Sequence, residues 1–292
     1  MGASNAITTP PSTSTCHRPG DPTALLVGGS PPIGAAGGAA GYLFAPDRRG
    51  DALAFGSADF FVGLLDRQIA CDLIRAHHYS QRVAAASILH LGVWLAGELQ
   101  GVLQYGYAMN PASAGSVVAG TAIDEYLELN RMWLAEAAPR NSESRALAAS
   151  ISLIRRVRPR VKWIQSFADE RCGLFGTVYQ AAGFTFHGEH RSTFWKLDGE
   201  WFHNTHMTVR GKRALGPRPA YLQANRDRAV PHVLRQFRYL RFLQTRFAKG
   251  CRHPARPFPK PDYAARPADE RGAPACEDGV TPSGRSNPHQ NG

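Results

Sequence analysis

The chain has 292 residues, of which 43% are hydrophobic, and its formal net charge is +11. The length predicts one or two domains. No apolar run approaches the roughly 20 residues of a membrane-spanning helix, which excludes helical membrane proteins and a membrane partner. Five scattered cysteines without a CxxC motif argue against a disulfide framework, so we expect reduced thiols and a cytoplasmic protein.

The two ends of the chain differ from its middle in composition. Residues 1–58 are rich in Gly, Pro, Ser, Thr and Ala and have few large apolar side chains, and residues 264–292 are similar with added charge. Such segments cannot bury enough surface to offset the entropy that ordering costs. We therefore expect a disordered extension over 1–58 and a disordered tail over 264–292. A folded domain over 59–210 and a basic extension over 211–263 would lie between them.

The first predicted elements follow residue 59. The apolar run 60–65 predicts a strand. Apolar residues at helical spacing then predict a helix over 66–76, with Asp66 as its N-cap. Two further apolar runs, 88–95 and 102–108, flank a short glycine-containing turn and predict a β-hairpin.

The later elements complete a mixed α/β pattern. In chain order they are a strand over 127–134, a helix over 143–157, a strand over 163–167, a helix over 175–182 and a strand pair over 184–187 and 192–197. The order of strands and helices is therefore β, α, β, β, β, α, β, α, β, β. This succession predicts a mixed β-sheet with helices packed on it, and it is similar to that of the GNAT acetyltransferase fold.

A carboxylate and a phenol stand out near the end of the predicted strand 163–167. Asp169 follows the strand directly, and Tyr179 lies ten residues further on, in a helix. Side chains at the carboxyl end of a strand in an α/β sheet face the ligand crevice, so Asp169 could orient an amine or accept its proton. Tyr179 could protonate a leaving group. The alternatives are a turn or N-cap aspartate and a core tyrosine.

Two other groups of polar residues are candidates for substrate binding. His77-His78-Tyr79-Ser80 follows the first helix, where histidines suit the helix dipole or could contact a ligand. Asn130 and Arg131 interrupt an otherwise apolar strand. A buried amide or guanidinium needs partners, so we expect one of them to face a substrate pocket.

The start of the helix over 143–157 is a candidate anion site. Unpaired backbone N–H groups and a partial positive charge at a helix start bind phosphate or carboxylate. The candidate cofactor-binding residues there are Asn141, Ser142, Ser144 and Arg145. The alternative is an ordinary helix cap, and the lack of a Gly-rich RxxGxG/A loop speaks against coenzyme A.

The positive charge is concentrated in two places. Thirteen Lys or Arg stand against two acidic residues over 211–262, and a second cluster occupies 155–162. Such clusters attract polyanions and favour nucleic-acid binding. The candidate contacts to a DNA backbone are Arg155, Arg156, Arg235, Arg238 and Arg241. Aromatic residues between the arginines suit base stacking, although they could instead pack on the domain and leave the arginines in water.

Histidine pairs are the remaining candidates for metal binding. They are His187-x-x-His190 and His203-x-x-His206. On a strand, residues i and i+3 point to opposite faces and cannot easily share one ion. We therefore predict no metal site.

Six segments together resemble the Mom DNA-modification proteins of bacteriophages and prophages. In chain order they are HHYS, LELNRMWL, PRNSESRALA, SFAD with GTVYQAAGF, RYLRFL and PARPFPK. The resemblance covers residues 60–262 and implies an acetyltransferase-like fold, with a catalytic domain over 59–210 and a nucleic-acid-contacting extension over 211–263. It implies conversion of adenine in DNA to N6-(carbamoylmethyl)adenine, which shields phage DNA from host restriction.

The resemblance also implies roles for individual residues. By motif position Tyr79, Asp169 and Tyr179 would be catalytic, with Asp169 as the base. The substrate-binding residues would be His78, Ser80, Asn130, Arg131 and Ser166. The adenine would be flipped out of the helix or single-stranded. The candidate donors are acetyl-CoA and an aminoacyl-tRNA, with an iron-assisted route as a further candidate.

Two other functions are alternatives. One is an N-acetyltransferase that acts on a small amine or a protein, and the other is a non-catalytic DNA-binding protein.

Overall fold

Ten strands form one sheet in this computed structural model, which describes residues 40–44, 52–172, 175–211, 214 and 216–260. The strands are β1 (Gly41–Phe44), β2 (Ala52–Gly56), β3 (Phe60–Leu64), β4 (Ser87–Leu95), β5 (Glu98–Gly106), β6 (Tyr126–Leu134), β7 (Trp163–Asp169), β8 (Thr185–Leu197), β9 (Glu200–His203) and β10 (Val230–Phe242). The spatial order is β1-β2-β3-β4-β5-β6-β7-β10-β8-β9. Neighbours are antiparallel except β6 and β7, which are parallel.

The helices pack on both faces of this sheet. They are α1 (Arg67–His77), α2 (Ala114–Val117), α3 (Ser142–Val157), α4 (Thr177–Ala181), α5 (Asn204–Thr208) and α6 (Pro217–Ala224). The longest, α3, packs on β2 and β3 and covers the main core, whereas α1 packs on β4 and β5 over a second apolar cluster. In the described range no helix is both long enough and apolar enough to cross a membrane.

The predicted mixed β-sheet with flanking helices is confirmed. The strand over 60–65, the first helix, the hairpin and the helix over 143–157 all form near their predicted bounds. Asp66 caps α1 as predicted, because its Oδ1 accepts hydrogen bonds from the backbone N–H groups of Gln68 and Ile69 at 2.7 and 3.2 Å. These elements depend on signals within a few residues, which are legible in the sequence.

The predicted strand pair over 184–187 and 192–197 is wrong. Thr185–Leu197 instead forms the single strand β8, which pairs with β10 along most of its length. Strand β10 comes from the segment 211–263, and it lies inside the sheet between β7 and β8. That segment therefore contributes to the sheet itself as well as carrying positive charge.

The expectation of disorder over 1–58 does not hold where the structure describes this range. Gly41–Phe44 and Ala52–Gly56 pair with each other as β1 and β2, and β2 adds to β3. Ala52, Leu53 and Ala54 are buried in this arrangement. Residues 1–39, residues 45–51 and the whole of 264–292 lie outside the described residues.

The parallel strands β6 and β7 separate after a short pairing, and we call this point the fork. The pairing comprises Tyr126 with Trp163, Leu127 with Ile164 and Glu128 with Gln165. A bulge in the β5–β6 pairing leaves Asn130 without a counterpart on β5, and such bulges bend a strand. Leu127 and Ile164 join the α3 core, so by strand alternation Glu128 and Gln165 point to the opposite face.

The glycine before α4 supports a testable prediction about the free energy of unfolding. Gly176 has a φ of 81°, and a Cβ added there would overlap the ring of Tyr239. Gly199 has a φ of 79° with nothing within 4 Å of its Cβ position. Gly199→Ala therefore adds only backbone strain, about 1 kcal/mol, whereas Gly176→Ala adds overpacking of about 1–3 kcal/mol to the same strain.

Urea denaturation of the two variants measures this difference in the free energy of unfolding. Equal losses in the two variants would show that the Tyr239 ring moves aside without cost.

Candidate functional site

A carboxyl group lies at the fork on the face opposite α3. Glu128 Oε2 accepts a hydrogen bond from Gln165 Nε2 at 2.7 Å, and Glu128 Oε1 accepts one from Asn130 Nδ2 at 3.3 Å. Burial raises the pKa of Glu128, although the two amide hydrogen bonds and the charges of Arg131 and Arg238 act in the other direction. Glu128 is therefore a half-buried acid with an elevated proton affinity.

The Arg131 side chain is held by two backbone carbonyl groups beside the fork. Its Nε donates to the carbonyl oxygen of Arg82 at 2.8 Å, and its Nη1 donates to the carbonyl oxygen of Asn130 at 2.5 Å. Burial lowers the pKa of Arg131, the neighbouring Tyr79 and Glu128 oppose that shift, and Arg171 adds to it. Tyr79, Glu128 and Arg171 thus all lie close enough to Arg131 to act on its charge.

Asp169 ends β7 as predicted, but its carboxylate is held by Arg171. Its Oδ1 accepts from the backbone N–H and the Nε of Arg171, each at 3.0 Å, and its Oδ2 accepts from the same Nε at 2.9 Å. An ion pair to Nη2 completes the contact. The guanidinium also lies over the Phe194 ring, 3.9 Å from its centroid. Asp169 therefore fixes a cation at the end of β7.

The segment after α1 has one buried and one exposed ring. His78 is 5% exposed, and its Nδ1 accepts the Ser80 backbone N–H at 3.1 Å and lies 2.9 Å from Ser80 Oγ. Burial first, and then the charge of Arg131, lower the pKa of His78 to about 4. The ring is therefore neutral at pH 7 with its proton on Nε2. Tyr79 is 58% exposed, and its ring centroid lies 4.3 Å from that of His78.

Two of the three predicted catalytic residues thus approach Arg131, and the third lies across the sheet. Tyr79 and Arg171 both lie near enough to Arg131 to influence its pKa, and Asp169 forms an ion pair with Arg171. Tyr179 instead packs against the α3-side core, with its hydroxyl 3.5 Å from the carbonyl oxygen of Phe167 in β7. The three residues therefore flank β7 from its two faces, and they do not line one side of it.

Two of the other predicted substrate-binding residues also have defined positions. Asn130 is fixed by hydrogen bonds, because its Oδ1 accepts from Ser87 Oγ at 3.0 Å and its Nδ2 donates to the Tyr107 carbonyl at 3.2 Å. Ser166 is 1% exposed, and its Oγ has no hydrogen-bond partner among the described residues. By strand alternation Ser166 lies on the α3 side of β7.

The start of α3 retains some features of an anion site. Asn141 precedes the helix in the left-handed region with a φ of 68° and makes no side-chain cap. Ser142 is fully buried, and its hydroxyl has no partner within the described part of the chain. Ser144 donates to the Asn141 carbonyl at 3.0 Å, and the Arg145 guanidinium lies 4.1 Å from the Phe60 ring centroid. Asn141 and Arg145 are the exposed members of this group.

The five arginines predicted to contact DNA do not form one stripe. Arg155 and Arg156 are exposed in the last turn of α3. Arg235 pairs with Glu170 and Glu189 at 2.7 and 3.8 Å. Arg241 donates to the Gly183 carbonyl at 2.6 Å and Arg238 lies near the Phe167 ring, so these two point to opposite faces of β10.

Several charged residues around Arg131 were not predicted. Arg82 and Arg218 share Glu200 at 3.0 and 2.5 Å, and Arg82 also carries the carbonyl that holds Arg131. Arg82 lies in a loop, Glu200 in β9 and Arg218 in α6, so no local motif marks them. Arg171 is different, because a basic residue two positions after Asp169 was a usable signal.

His187 and His190 lie on one face of β8, contrary to the expectation that their i, i+3 spacing separates them. A register shift places both His187 and Gly188 opposite the single residue Arg238, which is a β-bulge. The Arg238 charge helps to lower the pKa of both rings, after burial and, for His187, against a hydrogen bond to the His253 carbonyl. Among the described residues, no three His, Cys, Asp or Glu side chains are grouped to hold a metal ion.

The region that contains this site matches a known family. Residues 59–260 match the model of the Mom protein family. Over 214 residues the chain is 47% identical to the methylcarbamoylase mom of Escherichia phage Mu, which covers 72% of this chain and 88% of that protein. The chain belongs to the Mom protein family. Every site residue described above lies within the range that the Mom model matches.

Solved structures similar to this Mom-family chain are acetyltransferases. RimL, a ribosomal L7/L12 alpha-N-protein acetyltransferase, aligns with a TM-score of 0.32 at 13% identity, over 61% of this chain and 77% of that one. A GNAT-family acetyltransferase from Streptococcus pneumoniae aligns with a TM-score of 0.30 at 10% identity, over 55% and 68%. Scores this low say nothing about substrate, and the fold of this chain rests on its own strand order.

The lowered pKa of His78 predicts a pH dependence of stability. Between pH 6.5 and about 4 the unfolded chain binds a proton that the folded ring does not, so stability falls as the pH falls through this range. The loss for this one group is up to about 3 kcal/mol. His78→Asn keeps an acceptor near the Nδ1 position and removes the titration.

Urea denaturation from pH 7 to pH 4 tests this expectation. The stability of the wild type should fall toward that of His78→Asn, or below it, as the pH decreases. Parallel stability curves for the two proteins would contradict the lowered pKa.

Proposed function

We propose that this chain transfers a carbamoylmethyl group to the N6 amine of adenine in DNA. The observation that carries this proposal is the 47% identity to the methylcarbamoylase mom of Escherichia phage Mu, over 88% of that protein. In a phage or prophage, such a modification would act in the cytoplasm of the bacterial host and protect DNA from restriction.

The arginine-rich surroundings of the fork support a polyanionic substrate. Arg131 lies near enough to Arg82 and to Arg171 for their positive charges to interact. Phosphate contacts of this kind position a nucleic acid without reading its sequence. Arg155, Arg156, Arg235, Arg238 and Arg241 are proposed as further backbone contacts.

An adenine must leave the base stack before its N6 can react at such a site. Tyr79 supplies an exposed aromatic ring next to the fork, and stacking on an aromatic ring is a common way to hold an extruded base. His78 and Ser80 fix the backbone beneath this ring through the hydrogen bonds of the His78 Nδ1. We therefore place the adenine between Tyr79 and the fork.

The donor would approach from the α3 face. The start of α3 and the buried hydroxyls of Ser142 and Ser166 lie on that side, and a helix start suits an anionic group. Acetyl-CoA and an aminoacyl-tRNA both carry phosphate, and an aminoacyl donor would also supply the nitrogen of the product. Tyr179 would then orient the donor or return a proton to its leaving group.

Mass spectrometry of DNA nucleosides from expressing cells tests this function. The wild type, acting on an extruded base, should yield a deoxyadenosine about 57 mass units heavier, because CH2CONH2 replaces H. Asp169→Asn releases Arg171, and Tyr179→Phe removes the hydroxyl at Phe167, so each should reduce the product at least about tenfold. Both variants should remain folded by circular dichroism.

Asp72→Asn is the matched control, because Asp72 is exposed on α1 and its partners in the described structure, Gln68 and Arg75, lie on the same helix. It should leave the product unchanged. Unmodified DNA from cells that make soluble wild-type protein would reject the proposed function. An acetylated small amine in place of modified DNA would indicate an N-acetyltransferase.

A further inference from the structure

Glu128 and Gln165 form a polar pair that no predicted role explains. They are the last residues paired across β6 and β7, on the face opposite α3. Gln165 is 4% exposed, and while its Nε2 donates to Glu128, its Oε1 has no hydrogen-bond partner among the described residues. A buried acceptor without a donor costs free energy that a ligand with an N–H group would recover.

The other carboxylate of the site is less suited to receive a proton. Both oxygens of Asp169 already accept hydrogen bonds from Arg171, through its backbone N–H, Nε and Nη2. Glu128 accepts only neutral amide N–H groups, and among the described residues no ion pair to it is formed. Glu128 is therefore the carboxyl group with free capacity at the fork.

We propose that Glu128 and Gln165 receive the adenine N6 amine, with Glu128 as the proton acceptor and Gln165 Oε1 as the acceptor for the retained N–H. This inference rests on the proposed function. Asp169 is then a positioning residue that holds Arg171. Asn130 orients Glu128 through its Nδ2.

The N6 lone pair attacks the methylene carbon of a carbamoylmethyl donor, a carbon that bears an oxygen or sulfur leaving group, and an N6–CH2 bond forms. The bond from that carbon to the leaving group breaks, and its electron pair departs with the leaving group. One N6–H bond breaks, and its proton passes to Glu128. Glu128 returns a proton to solvent and the leaving group takes one, so the net change is N6–H plus donor to N6–C plus protonated leaving group.

The charges around Glu128 fit a group that must exchange a proton. The groups that face it are the Tyr126 phenol, Arg131 on its own strand and Arg238 on β10. Burial outweighs these cations and raises the pKa of Glu128. The carboxylate therefore forms as the pH rises through a value above that of an ordinary glutamate, about 4.3, and the arginines keep this value from rising further.

The first test measures the modified deoxyadenosine in DNA from expressing cells soon after induction. Glu128→Gln keeps the size and an acceptor oxygen but cannot take a proton, so it should lower the product by about a hundredfold or more. Glu128→Asp should retain part of the activity. Glu98→Gln, exposed at the β4–β5 turn, is the control and should match the wild type.

The second test needs no donor. It measures binding of single-stranded oligonucleotides that contain either deoxyadenosine or deoxynebularine, the purine that lacks the 6-amino group. The wild type should bind deoxyadenosine more tightly, by about tenfold for the recovered hydrogen bonds, and Gln165→Met should reduce this preference. The preference should increase with pH as Glu128 ionises, and it should be independent of pH in Glu128→Gln.

The two tests separate this inference from the proposed function. Product from Glu128→Gln within threefold of the wild type, or equal binding of the two oligonucleotides by the wild type, would overturn the role of the pair. If the wild type forms no product but prefers deoxyadenosine through Gln165, the amine site stands and the proposed function fails.

Discussion

The short parallel pairing of β6 with β7 is the constraint on which the rest of the site depends. The two strands remain paired only through Glu128 and Gln165, while β5 holds the other edge of β6 and β10 holds the other edge of β7. The β5–β6 bulge at Asn130 follows directly, and an extra residue on one strand bends that strand and increases its local twist. The β6–β7 pairing therefore ends in the middle of the sheet, while each strand keeps its other neighbour.

A second constraint is the cost of burying charge next to this opening. Arg131 and Glu128 are both partly removed from water, where an unpaired charge would be expensive. The structure meets this cost with neutral partners, because backbone carbonyls bind Arg131 and amide side chains bind Glu128. Arg131 therefore stays charged, and Glu128 can still titrate, because no close ion pair neutralises either group. Asp169 and Arg171, in contrast, largely neutralise each other.

The sequence predicts the parts of this molecule that depend on near neighbours. Helical spacing and the Asp66 cap identify α1, and the end of β7 identifies Asp169. The place of β10 between β7 and β8 depends on partners far along the chain, and its alternating arginines and aromatics suit a helix or a strand. The Glu128–Gln165 pair likewise requires the parallel register, so a glutamate in LELNRMWL gives no sign of its partner.

Under the proposed function, residues on the two opposite faces of the fork would belong to one site. Tyr179 and Ser166 lie on the α3 side of β7, and Glu128 and the Asp169–Arg171 pair lie on the other. Transfer from a large donor to a DNA base requires both to reach bonding distance without competing for the same surface. Under the proposed function, the end of the pairing between β6 and β7 would satisfy this requirement, because each substrate would occupy its own face and only the reacting atoms would meet between the two strands.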